Sequence, residues 1–117
     1  MVAYDFSGRS AIITGGARGI GLGIAQRIAA SGGAGRPWGA GGAQLGERKA
    51  ARGPPEGRIH TAVVDVTDDK AVDRAAAEVE REFGKIDVLV ASAGITGPNT
   101  TTWEYPVDAW RRVITST

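Results

Sequence analysis

The chain has 117 residues, a length within the range of one domain. It carries 14 Lys and Arg residues against 13 Asp and Glu, and the net charge of +1 implies no general attraction to nucleic acid or to an anionic membrane. Because the chain has no cysteine, disulfide frameworks and thiolate metal sites are excluded, and no metal site is predicted. The chain lacks a signal-peptide pattern and an apolar run of roughly 20 residues, so a cytoplasmic protein without membrane contact is expected.

The N-terminal part of the chain predicts a strand followed by a helix. The strand runs from Arg9 to Thr14, with three apolar residues between a polar start and a glycine-rich turn. In the helix, Ile20, Ile24 and Ile28 recur every four residues and form one apolar stripe. The pair Ser31-Gly32 is predicted to end this helix.

The segment from Gly32 to Gly57 departs from this pattern. It contains nine of the 18 glycines and three of the five prolines, and it has no Val, Ile or Phe. Its only large apolar residues are Trp38 and Leu45. Because it shows neither strand nor helix periodicity, its composition predicts a disordered linker.

Regular structure is predicted to resume after this segment. An apolar strand over 59–64 ends at Asp65, and Thr67 and Asp68 are candidate N-caps for a helix over 69–83. The apolar face of that helix is formed by Val72, Ala75, Ala76, Val79 and Phe83.

The last part of the chain repeats the alternation of strand and helix. Gly84 ends the preceding helix, and a third strand over 86–90 leads into a loop of small residues at 91–94. Pro106 opens a final helix, because proline is tolerated in a first helical turn. Strands that alternate with amphipathic helices predict an α/β architecture with a parallel sheet.

The glycine-rich turn after the first strand carries the chemistry. Gly15, Gly19 and Gly21 form G-x-x-x-G-x-G between a strand and a helix, which is typical of a phosphate-binding turn. Glycines let the backbone approach a pyrophosphate, and the first N–H groups of the helix face the anion. A tight strand–helix connection without a ligand is the alternative for the glycines alone. A P-loop is disfavoured because no Gly-Lys-Ser/Thr follows.

Three motifs in order resemble those of the short-chain dehydrogenase/reductase family. The run from Thr14 to Gly21 matches the signature T-G-x-x-x-G-x-G. The run Val64-Asp65-Val66 matches the Asp that follows the family's third strand. Ala93-Gly94 matches the end of the loop Asn-Asn-Ala-Gly, in which Ala91 and Ser92 replace the asparagines here. Serine can still form local hydrogen bonds, so the resemblance implies that this loop is retained with weaker support.

The resemblance covers about residues 5–31 and 58–114 and implies a fold, a cofactor and a reaction. The fold is the N-terminal part of a Rossmann doubly wound parallel sheet with the second strand disrupted, as one partial NAD(P)-binding domain over 1–117. The function is that of an oxidoreductase resembling 3-oxoacyl-carrier-protein reductases and sugar or polyol dehydrogenases. Hydride would pass between NAD or NADP and a small carbonyl or alcohol substrate, and the full-length relative is expected to be a homo-oligomer. The residues that the resemblance assigns to the cofactor are Thr14, Gly15, Arg18, Gly19, Ile20, Gly21, Asp65, Val66, Ser92, Ala93 and Gly94.

Two of these assignments have alternatives. In the family, the Asp at position 65 and the backbone after it hold the adenine ring, whereas Asp65 in isolation is also consistent with a turn residue at a strand end. Arg18 occupies a place where relatives that prefer NADP carry a basic residue that contacts a phosphate. A solvated arginine is the alternative.

The segment after Gly32 is where the family pattern fails. The family's second strand should read like Ala-Arg-Val-Ala-Leu. Codons for residues 33–38, written GGC GCG GGT CGC CCT TGG, give that sequence when they are read one base later. We therefore hypothesise a frameshift near Gly33 that is reversed near Arg58, and a second slip after Ile114 that converts Asp-Val-Asn-Leu into Thr-Ser-Thr-stop. Resequencing the locus tests this hypothesis, which fails if the DNA cannot be read as a shifted dehydrogenase.

No catalytic residue is assigned within the chain. Family catalysis uses a Tyr with a Lys four residues later, together with a Ser and an Asn, but Tyr4 is followed at that spacing by Gly8 and Tyr105 by Ala109. The family's Ser, Tyr and Lys are expected beyond Thr117, so the truncated chain is expected to be inactive. A non-catalytic dinucleotide-binding fragment and the product of a decayed gene are the alternatives. Loss of the second strand would leave the third without its neighbour, which predicts exposed strand edges and poor solubility.

Overall fold

The structure is a computed structural model that describes residues 3–39, 59 and 61–116. The described residues form four strands and three α-helices that alternate along the chain. In chain order the elements are β1 (Ser10–Thr14), α1 (Gly19–Ala30), β2 (Ala34–Gly39), β3 (Ala62–Val63), α2 (Asp69–Phe83), β4 (Val88–Ala91), a 3₁₀-helix (Thr102–Glu104) and α3 (Val107–Thr115).

The four strands form one parallel sheet with the order β3-β2-β1-β4. The last residue of β1, Thr14, lies opposite Trp38 of β2 on one side and Ala91 of β4 on the other. The carboxyl ends of all four strands therefore meet at one edge of the sheet, where ligands bind in open α/β sheets. The predicted α/β architecture with a parallel sheet is confirmed.

The expected loss of the second strand is wrong. Residues 34–39 form β2, which lies between β1 and β3 although its sequence lacks strand periodicity. The strand is held by parallel backbone pairing to both neighbours, which requires no apolar periodicity, although Pro37 has no N–H to donate. The glycine just before the strand also lets the chain pass close to α1, since a Cβ at Gly33 would come within 2.7 Å of Ile28 Cγ2. The remainder of the predicted linker, residues 40–57, lies outside the described residues.

Because β2 is present, the strand that follows it is not left without a neighbour. Trp38 and Gly39 pair with Ala62 and Val63, and a single parallel bridge joins Gly35 to Ile59. Among the described residues of the predicted strand over 59–64, regular pairing covers β3 only.

Helices cover both faces of the sheet. On one face α2 packs over Ile12, Trp38 and Val64 through Ala75 and Val79. On the other face α1 packs through Ala25 and Ile28 against Ala11 and Ile13. Burial of apolar area on both faces is the main force that holds this layered arrangement together.

The helix boundaries agree closely with those predicted, but one side chain of the predicted apolar stripe of α1 is not buried. Ile28 is buried and Ile24 is half-buried, whereas Ile20 is 80% exposed. Gly21, one residue later, occupies the buried position of the first turn. The stripe therefore begins on a glycine, because the turn after β1 passes too close to the helix for a larger side chain.

One edge of the sheet and one helix carry exposed apolar residues. The strand β4 has a neighbour on one side only among the described residues, and its Leu89 is 66% exposed. Val107, Trp110 and Ile114 of α3 are also exposed. Within the described part of the chain, no helix is long and apolar enough to cross a membrane, and no group of acidic or His side chains is placed to hold a metal ion.

Candidate functional site

A cavity of about 420 Å³ lies at the edge of the sheet where the strands end. The turn after β1, the end of β2, the loop after β3 and the loop after β4 all contribute to its wall. Its lining consists of Gly15, Arg18, Gly19, Ile20, Gly21, Trp38, Gly39, Val64, Asp65, Val66, Thr67, Ser92, Ala93, Gly94, Ile95 and Ser116. This volume is within the range of small-molecule and cofactor sites.

The glycine-rich turn forms one wall of the cavity, and Gly15 and Gly21, which line it, leave no room for a side chain. A Cβ at Gly15 would lie 2.8 Å from both the Ala93 Cα and the Ser92 carbonyl oxygen, and its φ of +64° is in the left-handed region. A Cβ at Gly21 would overlap the Gly15 carbonyl oxygen and lie 2.9 Å from the Gly15 carbonyl carbon. The glycines therefore let the turn, the start of α1 and the β4 loop come into close contact.

The N-terminus of α1 opens onto this cavity without a side-chain cap. Arg18 is the N-cap residue in an extended conformation, it makes no side-chain hydrogen bond to the helix, and the first turn has no acidic residue. The first N–H groups of a helix have no partner within the helix itself. Together with the positive end of the helix dipole, they favour a bound anion such as a phosphate.

The β4 loop is fastened to the glycine-rich turn through one hydroxyl group. Thr14 Oγ1 accepts hydrogen bonds from the backbone N–H groups of Ser92, at 3.1 Å, and Ala93, at 3.2 Å. The same hydroxyl can donate to the Val90 carbonyl oxygen at 3.5 Å. Thr14 does not line the cavity, so its contribution is to hold two cavity walls together.

Asp65 lies after β3 on the opposite wall of the cavity. Its Oδ1 accepts hydrogen bonds from the Thr67 hydroxyl at 2.7 Å and from the Thr67 backbone N–H at 2.9 Å. These bonds, the hydroxyl bond first, lower the pKa of Asp65 below its ordinary value of 3.8. The carboxylate is thus charged at neutral pH and has a second oxygen that faces no recorded donor among the described residues.

The structure brings the predicted site residues together from three separate stretches of the chain. Ten of the eleven line the cavity, and Thr14 stands directly behind it. Their individual contacts with a cofactor remain predictions. The lining residues that were not predicted are Trp38, Gly39, Val64, Thr67, Ile95 and Ser116. Trp38 and Gly39 were missed because no strand was predicted there. The tryptophan could have indicated packed structure in this glycine-rich segment, because large aromatic side chains are mostly buried in folded proteins.

The geometry of this cavity fits a dinucleotide. Gly15, Gly19 and Gly21 line the cavity beside the uncapped start of α1, and a Cβ at Gly19 would project into open space, so a pyrophosphate can approach the backbone closely there. Deeper in the wall, the buried indole N–H of Trp38 has no hydrogen-bond acceptor among the described residues. The start of α1 therefore presents backbone hydrogen-bond donors to the cavity, as a site for a phosphorylated ligand requires.

Comparisons with known proteins agree with this geometry. The sequence profile of the family described as short chain dehydrogenase matches residues 9–116. The chain is 44% identical over 114 residues to the 2-dehydro-3-deoxy-L-rhamnonate dehydrogenase (NAD(+)) of Sphingomonas sp. (strain SKA58), covering 97% of this chain and 44% of that protein. It is 43% identical over 91 residues to the 3-oxoacyl-acyl-carrier-protein reductase MabA of Mycobacterium avium, covering 78% of this chain and 31% of that protein.

Solved structures show the same similarity. An NAD+-bound xylitol dehydrogenase superposes with a TM-score of 0.88 at 33% identity, over 97% of this chain and 44% of that one. A levodione reductase superposes with a TM-score of 0.87 at 30% identity, over 95% of this chain and 44% of that one. The chain thus spans less than half the length of each of these relatives.

Proposed function

The chain belongs to the short-chain dehydrogenase family of oxidoreductases, and from that premise we propose that its cavity binds the dinucleotide NAD or NADP. The observation that carries this proposal is the uncapped N-terminus of α1, which faces a cavity framed by two glycines that tolerate no side chain. A helix start of this kind provides backbone donors and a partial positive charge for a pyrophosphate.

The positions of the other walls suggest how the remaining parts of the cofactor lie. With the pyrophosphate at α1, the adenosine half extends over the ends of β2 and β3, toward Asp65 and Val66. The nicotinamide half extends in the opposite direction, over the β4 loop at Ser92 to Gly94. The order of the strands supports this orientation, since β1 lies between β2 and β4.

The parent reaction that we propose is hydride transfer between this cofactor and a small carbonyl or alcohol compound. Relatives named as dehydrogenases of 2-dehydro-3-deoxy-L-rhamnonate and of xylitol, and as a 3-oxoacyl-acyl-carrier-protein reductase, support this substrate class. No residue that lines the cavity indicates which compound of this class is the substrate. Neither Tyr4 nor Tyr105 has a Lys four residues later, so we propose that these 117 residues alone bind the cofactor without turning it over.

Titrations with nucleotides of graded composition test the binding proposal. We expect NADH, NADPH and ADP-ribose each to bind the folded chain saturably, as measured by isothermal titration calorimetry. Adenosine, which lacks the pyrophosphate, is expected to bind much more weakly because it makes no contact with α1. The absence of saturable binding to a chain shown to be folded by circular dichroism would contradict the proposal.

A separate assay tests the expected lack of turnover. NADPH and NADH oxidation is followed at saturating nucleotide with a panel of small ketones and aldehydes, and no rate above that without protein is expected. A rate that increases in proportion to the chain concentration would overturn this part of the proposal while leaving the binding proposal intact.

A further inference from the structure

Tyr105 packs on Gly97 within the segment that joins β4 to α3, and the proposed function does not use this contact. Over residues 94–108 every residue is exposed except these two, which are half-buried. A Cβ at Gly97 would overlap the Tyr105 hydroxyl, and it would lie 2.9 Å from the Tyr105 Cζ and 3.3 Å from Val113 Cγ2. The side chain of Tyr105 therefore lies directly over the Gly97 backbone.

Further contacts hold Tyr105 in this position. The 3₁₀-helix before it is closed by a hydrogen bond from the Thr101 hydroxyl to the Glu104 carboxylate at 2.8 Å. The Tyr105 N–H donates to the Thr102 carbonyl oxygen at 3.3 Å. The Tyr105 ring also meets the Trp110 ring of α3 edge to face, with 6.2 Å between the ring centres, which is a favourable arrangement of two aromatic rings. Tyr105 is thus fixed to α3 and to the 3₁₀-helix.

Gly97 lies two residues after Ile95, which forms part of the cavity wall. Ile95 is 45% exposed and lines the cavity next in sequence to Gly94. In the proposed orientation of the cofactor, the nicotinamide half lies over residues 92–94, so Ile95 is the first large apolar side chain after them. Two residues of chain span at most about 7 Å, so the position of Gly97 limits where Ile95 can lie.

We propose that Tyr105 is a positioning residue for the nicotinamide half of the cofactor, because its packing on Gly97 holds Ile95 against the nicotinamide ring. This inference rests on the proposed dinucleotide function. Tyr105 itself does not line the cavity, so its effect on the cofactor passes through Ile95. The apolar side chain of Ile95 keeps water from the ring, and a shift of the segment would admit water again.

The first experiment compares NADH with ADP-ribose, which lacks the nicotinamide ring. Both ligands are titrated by calorimetry into the unmodified chain and into Tyr105→Ala. We expect NADH to bind the unmodified chain more tightly than ADP-ribose does, and Tyr105→Ala to weaken NADH about fivefold while ADP-ribose changes less than about twofold. Equal affinities for the unmodified chain, or equal changes of both ligands in the variant, would overturn this inference alone. Failure of both ligands to bind the folded, unmodified chain would overturn the proposed function and the inference together.

Further variants assign the effect to the packing of the ring. Tyr105→Phe keeps the ring over Gly97 and is expected to retain NADH affinity within about twofold. Trp103→Ala is the matched control, because Trp103 is an aromatic residue of the same segment that is 85% exposed and does not line the cavity. If Trp103→Ala weakens NADH as much as Tyr105→Ala does, the contact with Gly97 is not responsible and the inference fails.

A double-mutant cycle tests whether Tyr105 acts through Ile95. Ile95→Ala is expected to weaken NADH about fivefold, and Tyr105→Ala in that background should cause less than about twofold further loss, since the contact that it positions is already absent. Two independent losses that multiply to about 25-fold would contradict the inference. If Tyr105→Ala does not retain its circular dichroism spectrum, Gly97→Ala takes its place in both experiments with the same expected and contradicting outcomes. Gly97 does not have a positive φ, so the added Cβ disturbs chiefly the contact with the Tyr105 ring.

Discussion

The helices α1 and α2 begin in opposite ways, although both follow a strand of the same sheet. At α2, the Asp68 carboxylate accepts a hydrogen bond from the Ala71 N–H at 3.2 Å, and Asp69 adds a negative charge to the first turn. At α1, Arg18 supplies no cap and the first turn has no acidic residue. One helix satisfies its own N-terminus with nearby side chains, and the other leaves its N-terminus open toward a cavity.

This difference separates a structural helix from one that is prepared for a ligand. A side-chain cap typically contributes about 1 kcal/mol to stability, and α1 lacks this contribution because Arg18 does not cap it. The glycines also lower local stability in favour of the shape of the site. Gly15 and Gly19 have positive φ, and Gly21 packs directly on the turn. Local stability is thus lower where the phosphate is proposed to bind, as is common at functional sites.

The largest expected effect comes from a substitution at Gly21, in the first turn of α1. Gly21→Ala places a Cβ against the Gly15 carbonyl group, which is backbone and cannot move aside without displacing the turn. Overpacking of this kind costs about 1–3 kcal/mol, so nucleotide affinity is expected to fall about ten- to hundredfold, as measured by calorimetry.

Gly23→Ala is the matched control for this substitution. Gly23 is exposed, and a Cβ there would meet no atom within 4 Å. We expect unchanged affinity and a gain in stability of about 0.5–1 kcal/mol from improved helix propensity. If the two variants lose affinity equally, the close contact at Gly21 is not what shapes the site.

The next effect is expected when α1 is given the cap that it lacks. Arg18→Asp adds a carboxylate at the N-cap and should raise the free energy of unfolding by about 1 kcal/mol, as measured by urea denaturation. The same carboxylate competes with a phosphate for the helix N–H groups and repels it, so nucleotide affinity should fall about tenfold. Stability and affinity would therefore change in opposite directions.

Arg18→Ser separates the cap from the charge. A serine hydroxyl also caps the helix, so a similar gain in stability is expected together with a smaller loss of affinity. If Arg18→Asp binds nucleotide as tightly as the unmodified chain, the open N-terminus of α1 is not the phosphate site.

Removal of the existing cap at α2 should affect stability alone. Asp68→Ala is expected to lower the free energy of unfolding by about 1 kcal/mol and to leave nucleotide affinity unchanged. Asp68→Asn retains a capping oxygen and should lose much less stability. A loss of nucleotide affinity in Asp68→Ala would mean that the two helix starts are not independent.

The sequence predicted the features that depend on local residue patterns. The glycine-rich turn, the Asp68 cap and the Gly84 end of α2, with its φ of +79°, follow from residue types at fixed spacing. Asp65 and Ser92 were assigned to the same site through the family resemblance, and the parallel strands that end at one edge of the sheet bring them together with the turn. The helix ends and the glycine-rich turn needed no information about distant contacts.

The parts that the sequence did not predict depend on contacts between distant residues. β2 forms on a sequence with Gly35 and Pro37 because both neighbouring strands supply backbone partners, which no local pattern reveals. Ile20 matches the apolar stripe of α1, but the close packing of Gly21 on Gly15 fixes the rotation of the helix and leaves Ile20 exposed. The place of Trp38 in the cavity could not be inferred without β2.

The smallest expected effect concerns the charge on the cavity wall opposite α1. The Thr67 hydroxyl is the main cause of the lowered pKa of Asp65, so Thr67→Val should raise that pKa toward 3.8, as followed by the carboxyl carbon resonance in an NMR titration. Because the folded-state pKa lies below the unfolded value, the ionised Asp65 contributes stability above about pH 3.8, and this contribution is lost as the pH falls through the lowered pKa. In Thr67→Val, the loss of folding free energy as the pH falls should therefore be smaller.

Asp5, whose pKa is lowered by Ser7, is the internal control and should titrate identically in both proteins. An unchanged Asp65 titration would show that the backbone N–H of residue 67 holds this carboxylate without the hydroxyl.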